Sequence, residues 1–396
     1  MKGAIYMAKV IIEQGRHKRV ENGHPWVYKT EVRDIEGDYI PGDIVEVVNF
    51  KGKFMGKGYI NPKSQLIVRI MTRDINEEIN EAFFRKRITY AWEYRKKLID
   101  TNACRVIFGE ADFLPALIVD KFSDYLVIQT LSLGMDQYKD IIIKILNEVL
   151  KPKGIFERND VPVRQIEGLE MKKGFLSEPF DTMVKIIENG INFYVDIENG
   201  QKTGYFLDQK ENRAAIKDIV KGAKVLDCFC HTGSFSLHAG YYGARDVLGI
   251  DISEHAVEFA RKNAVLNNLQ DVCKFETANA FDKLRELQDM GEKYDVVILD
   301  PPAFTKSKST VQGAVRGYKD INLRAMKLLS KGGFLVTASC SQHMPSDLFK
   351  DVIFEASIDA KRTLRQVESR SQAKDHPILL SSGETSYLKF IILQVI

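Results

Sequence analysis

KVLDCFCHTGSFSLHAGYYGARDVLGID, residues Lys224 to Asp251, is the stretch whose reading decides the fold. Apolar Val225 and Leu226 run into Asp227, a tight loop passes through Thr232-Gly233, and the pattern predicts a helix from about Ser234 and a second apolar strand ending at Asp251. A buried strand that turns on a glycine into a helix gathers unpaired backbone N–H groups and the positive helix end at one spot. The acid closing the next strand can take both hydroxyls of a ribose. The stretch therefore reads as a nucleoside-cofactor site on a parallel α/β sheet.

Two cofactor classes fit such a unit. A dinucleotide site wants G-x-G-x-x-G, so that backbone can touch a pyrophosphate. Here the loop is Asp227-Cys-Phe-Cys-His-Thr-Gly-Ser-Phe235, with one glycine where three are expected. An acid at the loop's entrance suits a cationic ligand instead, such as the aminocarboxypropyl sulfonium end of S-adenosylmethionine. A methyltransferase is favoured on this count, with a dehydrogenase and a plain parallel-sheet core as the alternatives.

The chain of 396 residues is long enough for two or three cores, and 44% hydrophobic with 28% charged residues is globular in balance. No run approaches 18 apolar residues, and the first residues lack the apolar core and cleavage site of a secretory signal, so a cytoplasmic protein is expected. Net charge is only +3, but Arg16-His17-Lys18-Arg19, Arg85-Lys86-Arg87, Arg95-Lys96-Lys97 and Lys306-Ser307-Lys308 are basic clusters that permit an RNA partner without requiring one. The five cysteines, Cys104, Cys228, Cys230, Cys273 and Cys340, include no C-x-x-C pair and argue for reduced thiols rather than a disulfide framework. Cys228, Cys230 and His231 are confined to four residues with no second ligand cluster, so no metal site is expected.

Three domains are expected. Residues 1–75 carry short apolar runs punctuated by Gly15, Gly37, Pro41-Gly42, Gly52, Gly56, Gly58 and Asn61-Pro62, the spacing of a small β-barrel with a basic first turn. Residues 76–198 begin with a helical pattern to Leu98 and continue as mixed strands and helix, with Asn189-Gly190 as a hairpin turn and no catalytic constellation. Arg158 and Arg164 in this region read as solvated arginines, with RNA contact as the alternative. From Asn199 the pattern is parallel α/β, led in by Thr203-Gly-Tyr-Phe-Leu-Asp-Gln-Lys-Glu-Asn-Arg213.

Ligands in open α/β sheets lie beyond the carboxyl ends of the strands. Five such ends carry polar or special residues: Asp227, Asp251, Asn279, Asp300 and Cys340. Asp300-Pro301-Pro302 forces the chain out over a strand end, because two prolines remove backbone donors and fix φ. Cys340 follows the apolar run Phe334 to Thr337 between two serines and is better placed to act as a nucleophile than Cys104 or Cys273.

At this point the chain resembles a known family over essentially its whole length. Gly23-His-Pro-Trp26, Pro41-Gly-Asp-Ile-Val45 and Gly58-Tyr-Ile-Asn-Pro62 resemble an RNA-binding PUA domain, and residues 200–396 resemble the Rossmann-like class I S-adenosylmethionine-dependent methyltransferases. The combination, with Thr203 to Arg213, Asp227-x-Phe-x-x-Thr-Gly-x-Phe235, Asp251, Asp300-Pro-Pro-Ala-Phe304 and Ser339-Cys-Ser341, is similar to the large-subunit ribosomal RNA cytosine-C5 methyltransferase family. The resemblance implies S-adenosylmethionine held by Asp227, Phe229, Thr232 and Gly233 at the methionine portion, Asp251 at the ribose, and Asn279, Ala280 and Gln209 near the adenine. It further implies Cys340 as nucleophile, Asp300 as the acid on the target base, and a homodimer. Arg16, Lys18, Arg19, Lys306 and Lys308 are the expected RNA contacts. A guanine N7 or amino-group ribosomal RNA methyltransferase, and a non-catalytic RNA-binding assembly factor, are the alternatives.

Overall fold

The structure, a computed structural model, describes residues 7–305 and 307–396, without the side chain of Lys308. The chain forms two compact units, one of residues up to Val184 with Val195–Leu207 and Lys374–Thr385, the other of Lys185–Tyr194, Asp208–Ala373 and Ser386–Ile396.

The first unit opens with a six-stranded sheet built from Lys9–Ile12, Trp26–Tyr28, Val32–Glu36, Ile44–Val48, Phe54–Ile60 and Leu66–Thr72. Alternating residues such as Val10, Ile12, Val45, Val47 and Val68 fill its core. Gly56 and Gly58 lie inside a strand, not at turns as their spacing suggests. A Cβ on Gly58 would stand 1.9 Å from the Arg69 carbonyl oxygen, so the two strands close up only over glycine.

Helix Glu81–Leu98 follows, capped by the Asn80 side chain accepting from the Phe83 N–H, and buries Phe83, Phe84, Ile88 and Ala91. A five-stranded sheet (Ala103–Phe108, Leu117–Phe122, Tyr125–Thr130, Gly154–Asn159, Lys172–Phe175) completes the unit. Arg158 and Arg164 are not solvated, and the RNA contact weighed for them has no surface to act from. Arg164 is fully buried on the Thr130 carbonyl and Asp136, and Arg158 donates to the carbonyls of Ile197 and Gly200 at 2.7 and 3.0 Å. Their guanidiniums satisfy buried acceptors that would otherwise be orphaned.

The second unit is a seven-stranded sheet. Its strands are β1 (Lys224–Cys228), β2 (Asp246–Asp251), β3 (Cys273–Thr277), β4 (Tyr294–Leu299), β5 (Leu329–Ser339), β6 (Leu364–Arg370) and β7 (Lys389–Val395). The spatial order is β3-β2-β1-β4-β5-β7-β6, parallel except for β7, which lies antiparallel between β5 and β6. The order reverses between β1 and β4, and there the strand ends open a crevice for a ligand. Helices α1 (Ser234–Tyr241), α2 (Glu254–Leu266), α3 (Ala280–Asp289), α4 (Val311–Leu328) and α5 (Ser346–Ala360) accompany the sheet. Ser253 caps α2 by accepting from the Ala256 N–H, as its position after Asp251 predicts. Leu226, Val297, Leu299, Tyr318, Leu335 and Phe349 lie in the main core.

The lead-in segment is tied down by a buried ion pair. Arg213 donates from Nε and Nη2 to the two carboxylate oxygens of Glu188 at 2.6 and 2.9 Å, both side chains being almost wholly buried. Asn189 and Gly190 both take positive φ, the turn that the sequence predicts, and the Asn189 amide donates to the Lys210 carbonyl at 2.9 Å. His238 lies 3.8 Å from Glu188, but burial pushes its imidazole down to about 4, so it is neutral. Arg213→Met is therefore expected to cost about 3–5 kcal/mol by stranding a buried carboxylate. Urea unfolding checks this, and adding Glu188→Leu is expected to restore most of the loss.

Candidate active site

Asp227, Asp251, Asn279, Asp300 and Cys340 lie at or just beyond the carboxyl ends of β1, β2, β3, β4 and β5. Asp227 is fully buried in β1, and its Oδ2 accepts from the Ser236 hydroxyl of α1 at 2.6 Å. Its other oxygen, Oδ1, is buried with no hydrogen-bond partner among the described residues, as is Thr232 Oγ1. Burial pushes the Asp227 carboxyl up to about 7; the Ser236 hydroxyl opposes this, and the charges of Asp300 and Asp251 add to it. A cation is the ligand that would satisfy such a group.

The loop itself is held by short backbone contacts. Phe229 takes positive φ, and its ring lies 6.5 Å from Phe281 and 6.4 Å from Phe304, edge-on to both. Gly233 also takes positive φ, and a Cβ there would press on Phe275 and Ala260 at 3.0 and 3.1 Å. Asp251, at the end of β2, accepts the His231 N–H on one oxygen and the Ser253 N–H on the other, each at 2.9 Å. Its carboxylate is thereby fixed, with lone pairs remaining for a diol. Asn279 is exposed and caps α3 through the Phe281 N–H, and Ala280 is buried.

Gln209 is held beside the Asp-Pro-Pro turn. Its amide donates to Asp300 Oδ1 at 2.8 Å, while its own oxygen accepts from Asn212 at 2.7 Å. The lead-in segment thus orients the acid of the Asp-Pro-Pro turn. Asp300 itself closes β4, its N–H directed to the Cys228 carbonyl of β1 at 3.4 Å.

Cys340 stands at the end of β5, the neighbour of β4, where Leu299 pairs with Thr337. Its Sγ lies 3.8 Å from the Pro301 carbonyl oxygen, so the thiol and the Asp300-Pro301-Pro302 turn share one place. Cys340 is partly exposed, whereas Cys104, Cys228, Cys230 and Cys273 are all buried. Burial pushes the thiols of Cys228 and Cys230 well above the ordinary range and that of Cys273 up to about 12, which removes them as nucleophiles. Two neighbours of Cys340 carry no sequence signal of their own: Tyr318 of α4, whose hydroxyl is 3.1 Å from Ser341 Oγ, and Lys389 of β7. Phe304, the last residue of the Asp-Pro-Pro-Ala-Phe motif, packs on Tyr318 at 4.6 Å and approaches Gly317, where a Cβ would meet its ring at 3.1 Å.

The expected RNA contacts divide. Lys18 is exposed, and Arg16 is exposed with its guanidinium donating to the Thr30 carbonyl at 2.6 Å. Arg19 is spent inside the unit, on both Glu31 oxygens, His24 and the Trp26 carbonyl. Lys306 and the Lys308 side chain lie outside the described residues.

Comparison with known proteins accords with this geometry. Residues 10–73 match the PUA-like domain family, and residues 170–382 match the S-adenosylmethionine-dependent methyltransferase family. The ribosomal RNA large subunit methyltransferase I of Shewanella amazonensis is 40% identical over 98% of this chain and 99% of its own length. That of Shigella dysenteriae serotype 1 is 39% identical, with the same coverage of both chains. The chain belongs to the S-adenosylmethionine-dependent methyltransferases, in the ribosomal RNA large subunit methyltransferase I family. The fold of this methyltransferase is shared with a solved methyltransferase complexed with SAH (TM-score 0.85, 19% identity, 98% of this chain and 100% of that one). A second solved structure, an S-adenosylmethionine-dependent methyltransferase of Streptococcus mutans, gives a TM-score of 0.83 at 20% identity over 98% of this chain and 100% of that one.

The residues present fit the cofactor. An ammonium would satisfy the oxygen of buried Asp227 that no described residue bonds. Because a cation favours the ionised acid, S-adenosylhomocysteine affinity is expected to weaken as pH falls below about 7, by up to about tenfold per unit. Calorimetric titration between pH 5.5 and 8.5 checks this; Asp227→Asn is expected to flatten the profile and lower affinity at pH 8 by about ten- to a hundredfold.

Proposed function

We propose that this methyltransferase forms 5-methylcytosine in large-subunit ribosomal RNA, with Cys340 as the nucleophile and Asp300 as the acid that holds the target base. That the relatives are ribosomal RNA large subunit methyltransferases supports the substrate class. The observation that carries the chemistry is the 3.8 Å approach of Cys340 Sγ to the Pro301 carbonyl, which puts a thiol beside the Asp-Pro-Pro turn.

Carbon 5 of cytosine is too weak a nucleophile to be methylated directly. Attack of the Cys340 thiolate on carbon 6 forms an S–C6 bond and moves the ring π electrons so that carbon 5 becomes enamine-like. Asp300, one oxygen fixed by the Gln209 amide, stabilises the ring near N3 as charge develops there. S-adenosylmethionine, when bound, supplies the methyl group from its sulfonium. Loss of the carbon 5 proton then restores the ring and breaks the S–C6 bond, which returns the thiolate.

Exposed Arg16 and Lys18, in the turn and short helix after the first strand of the PUA-like domain, supply phosphate contacts, and Lys306 and Lys308 join them on the sequence reading alone. The cytoplasm is the compartment this reading implies; no described helix is long and apolar enough to cross a membrane. Pairing of two copies is part of the same family-based reading.

The test is methyl transfer from labelled cofactor to unmodified ribosomal RNA, with nucleoside mass spectrometry of the product. Wild type is expected to yield 5-methylcytosine, Cys340→Ala to lose at least about a thousandfold in turnover, and Asp300→Asn about a hundredfold. Full turnover by Cys340→Ala would move the target to an atom that needs no covalent help.

A further inference from the structure

Lys389 opens β7 opposite Ser339 in the antiparallel register with β5, one residue from the thiol of Cys340. Its ammonium donates to the Ser341 carbonyl at 2.6 Å and to the Tyr387 carbonyl at 2.8 Å. Both acceptors are neutral backbone oxygens, so they hold the ammonium in place without cancelling its charge. Ser341 directly follows Cys340, and the lysine is therefore tethered to the nucleophile's own turn.

Three described groups near the thiol bring it no positive charge. The Pro301 carbonyl presents its negative end at 3.8 Å, and Asp300 adds a carboxylate one residue earlier. Tyr318, whose phenol burial pushes up, is uncharged at neutral pH. Against an oxygen-lined site of this kind a thiolate needs a fixed positive charge.

We propose that Lys389 is a positioning residue whose tethered ammonium holds Cys340 as a thiolate ready to add to the pyrimidine. The proposal rests on the reading of Cys340 as nucleophile. Burial lowers the Lys389 ammonium to about 8, and the nearby Cys340 opposes that, the direction expected of a thiolate close to an ammonium. Below that value the lysine is charged, and thiolate support is expected up to about pH 8 and to fade above it as the amine loses its proton.

The experiment is the rate of iodoacetamide alkylation of Cys340 in the intact protein from pH 5.5 to 9.5, read by peptide mass spectrometry. The other four cysteines are buried, and Cys340→Ser supplies the blank. Wild type is expected to inflect below the ordinary thiol value of about 8.5. Lys389→Met is expected to move the inflection up by about one unit and slow alkylation at pH 7 about tenfold, while Lys389→Arg keeps it near wild type. A wild-type inflection at or above about 8.5 overturns the proposal without any variant, as does a Lys389→Met profile matching wild type or an Arg profile matching Met. Alkylation requires no RNA and no cofactor, so failure here is distinct from failure to make 5-methylcytosine.

Discussion

Everything in the active site depends on two parallel strands ending side by side. The β4–β5 register, with Leu299 paired to Thr337, fixes where Asp300 leaves one strand and Cys340 leaves the next. The prolines after Asp300 remove the donors that would continue the ladder, so the chain turns over the strand end and presents the Pro301 carbonyl to the thiol. The approach of the Asp300 N–H to the Cys228 carbonyl joins this corner to the cofactor loop after β1. A partly exposed thiol, a carboxylate and the loop after β1 are brought together by sheet topology.

Burial then sorts identical residue types into different jobs. Four cysteines lie in the core, and burial holds Cys228, Cys230 and Cys273 protonated; the fifth is partly exposed at a strand end. Among the carboxylates, Asp227 is buried with one oxygen that no described residue bonds, whereas both oxygens of Asp251 are already fixed by backbone donors. The arginines follow the same logic. Arg213 neutralises a buried glutamate, Arg164 and Arg158 feed backbone carbonyls, and Arg16 remains exposed.

The parts legible in the sequence are those whose signal is local. Apolar runs that stop at Asp227, Asp251, Asp300 and Cys340 marked the strand ends because a buried parallel strand must be apolar along its length and polar where it meets the crevice. Asn189-Gly190 was legible for the same reason, since positive φ at both positions restricts composition. The parts that were not legible depend on partners distant in sequence. Gly56 and Gly58 read as turn residues until Arg69 is seen packed against the second of them. Gln209 finds Asp300 across 91 residues, and Lys389 reaches the Ser341 carbonyl, next to Cys340 in the chain, only because β7 inserts antiparallel between β5 and β6.

The central claim is a sulfur–carbon bond to a pyrimidine, and its most direct measurement is a trapped complex. With 5-fluorocytidine in the target RNA and the methyl donor present, carbon 5 has no proton to lose, so the adduct cannot resolve. Intact mass and peptide mapping are expected to place one methylated fluoropyrimidine on Cys340. Release of free RNA without an adduct, or a bond to any other residue, would contradict the account.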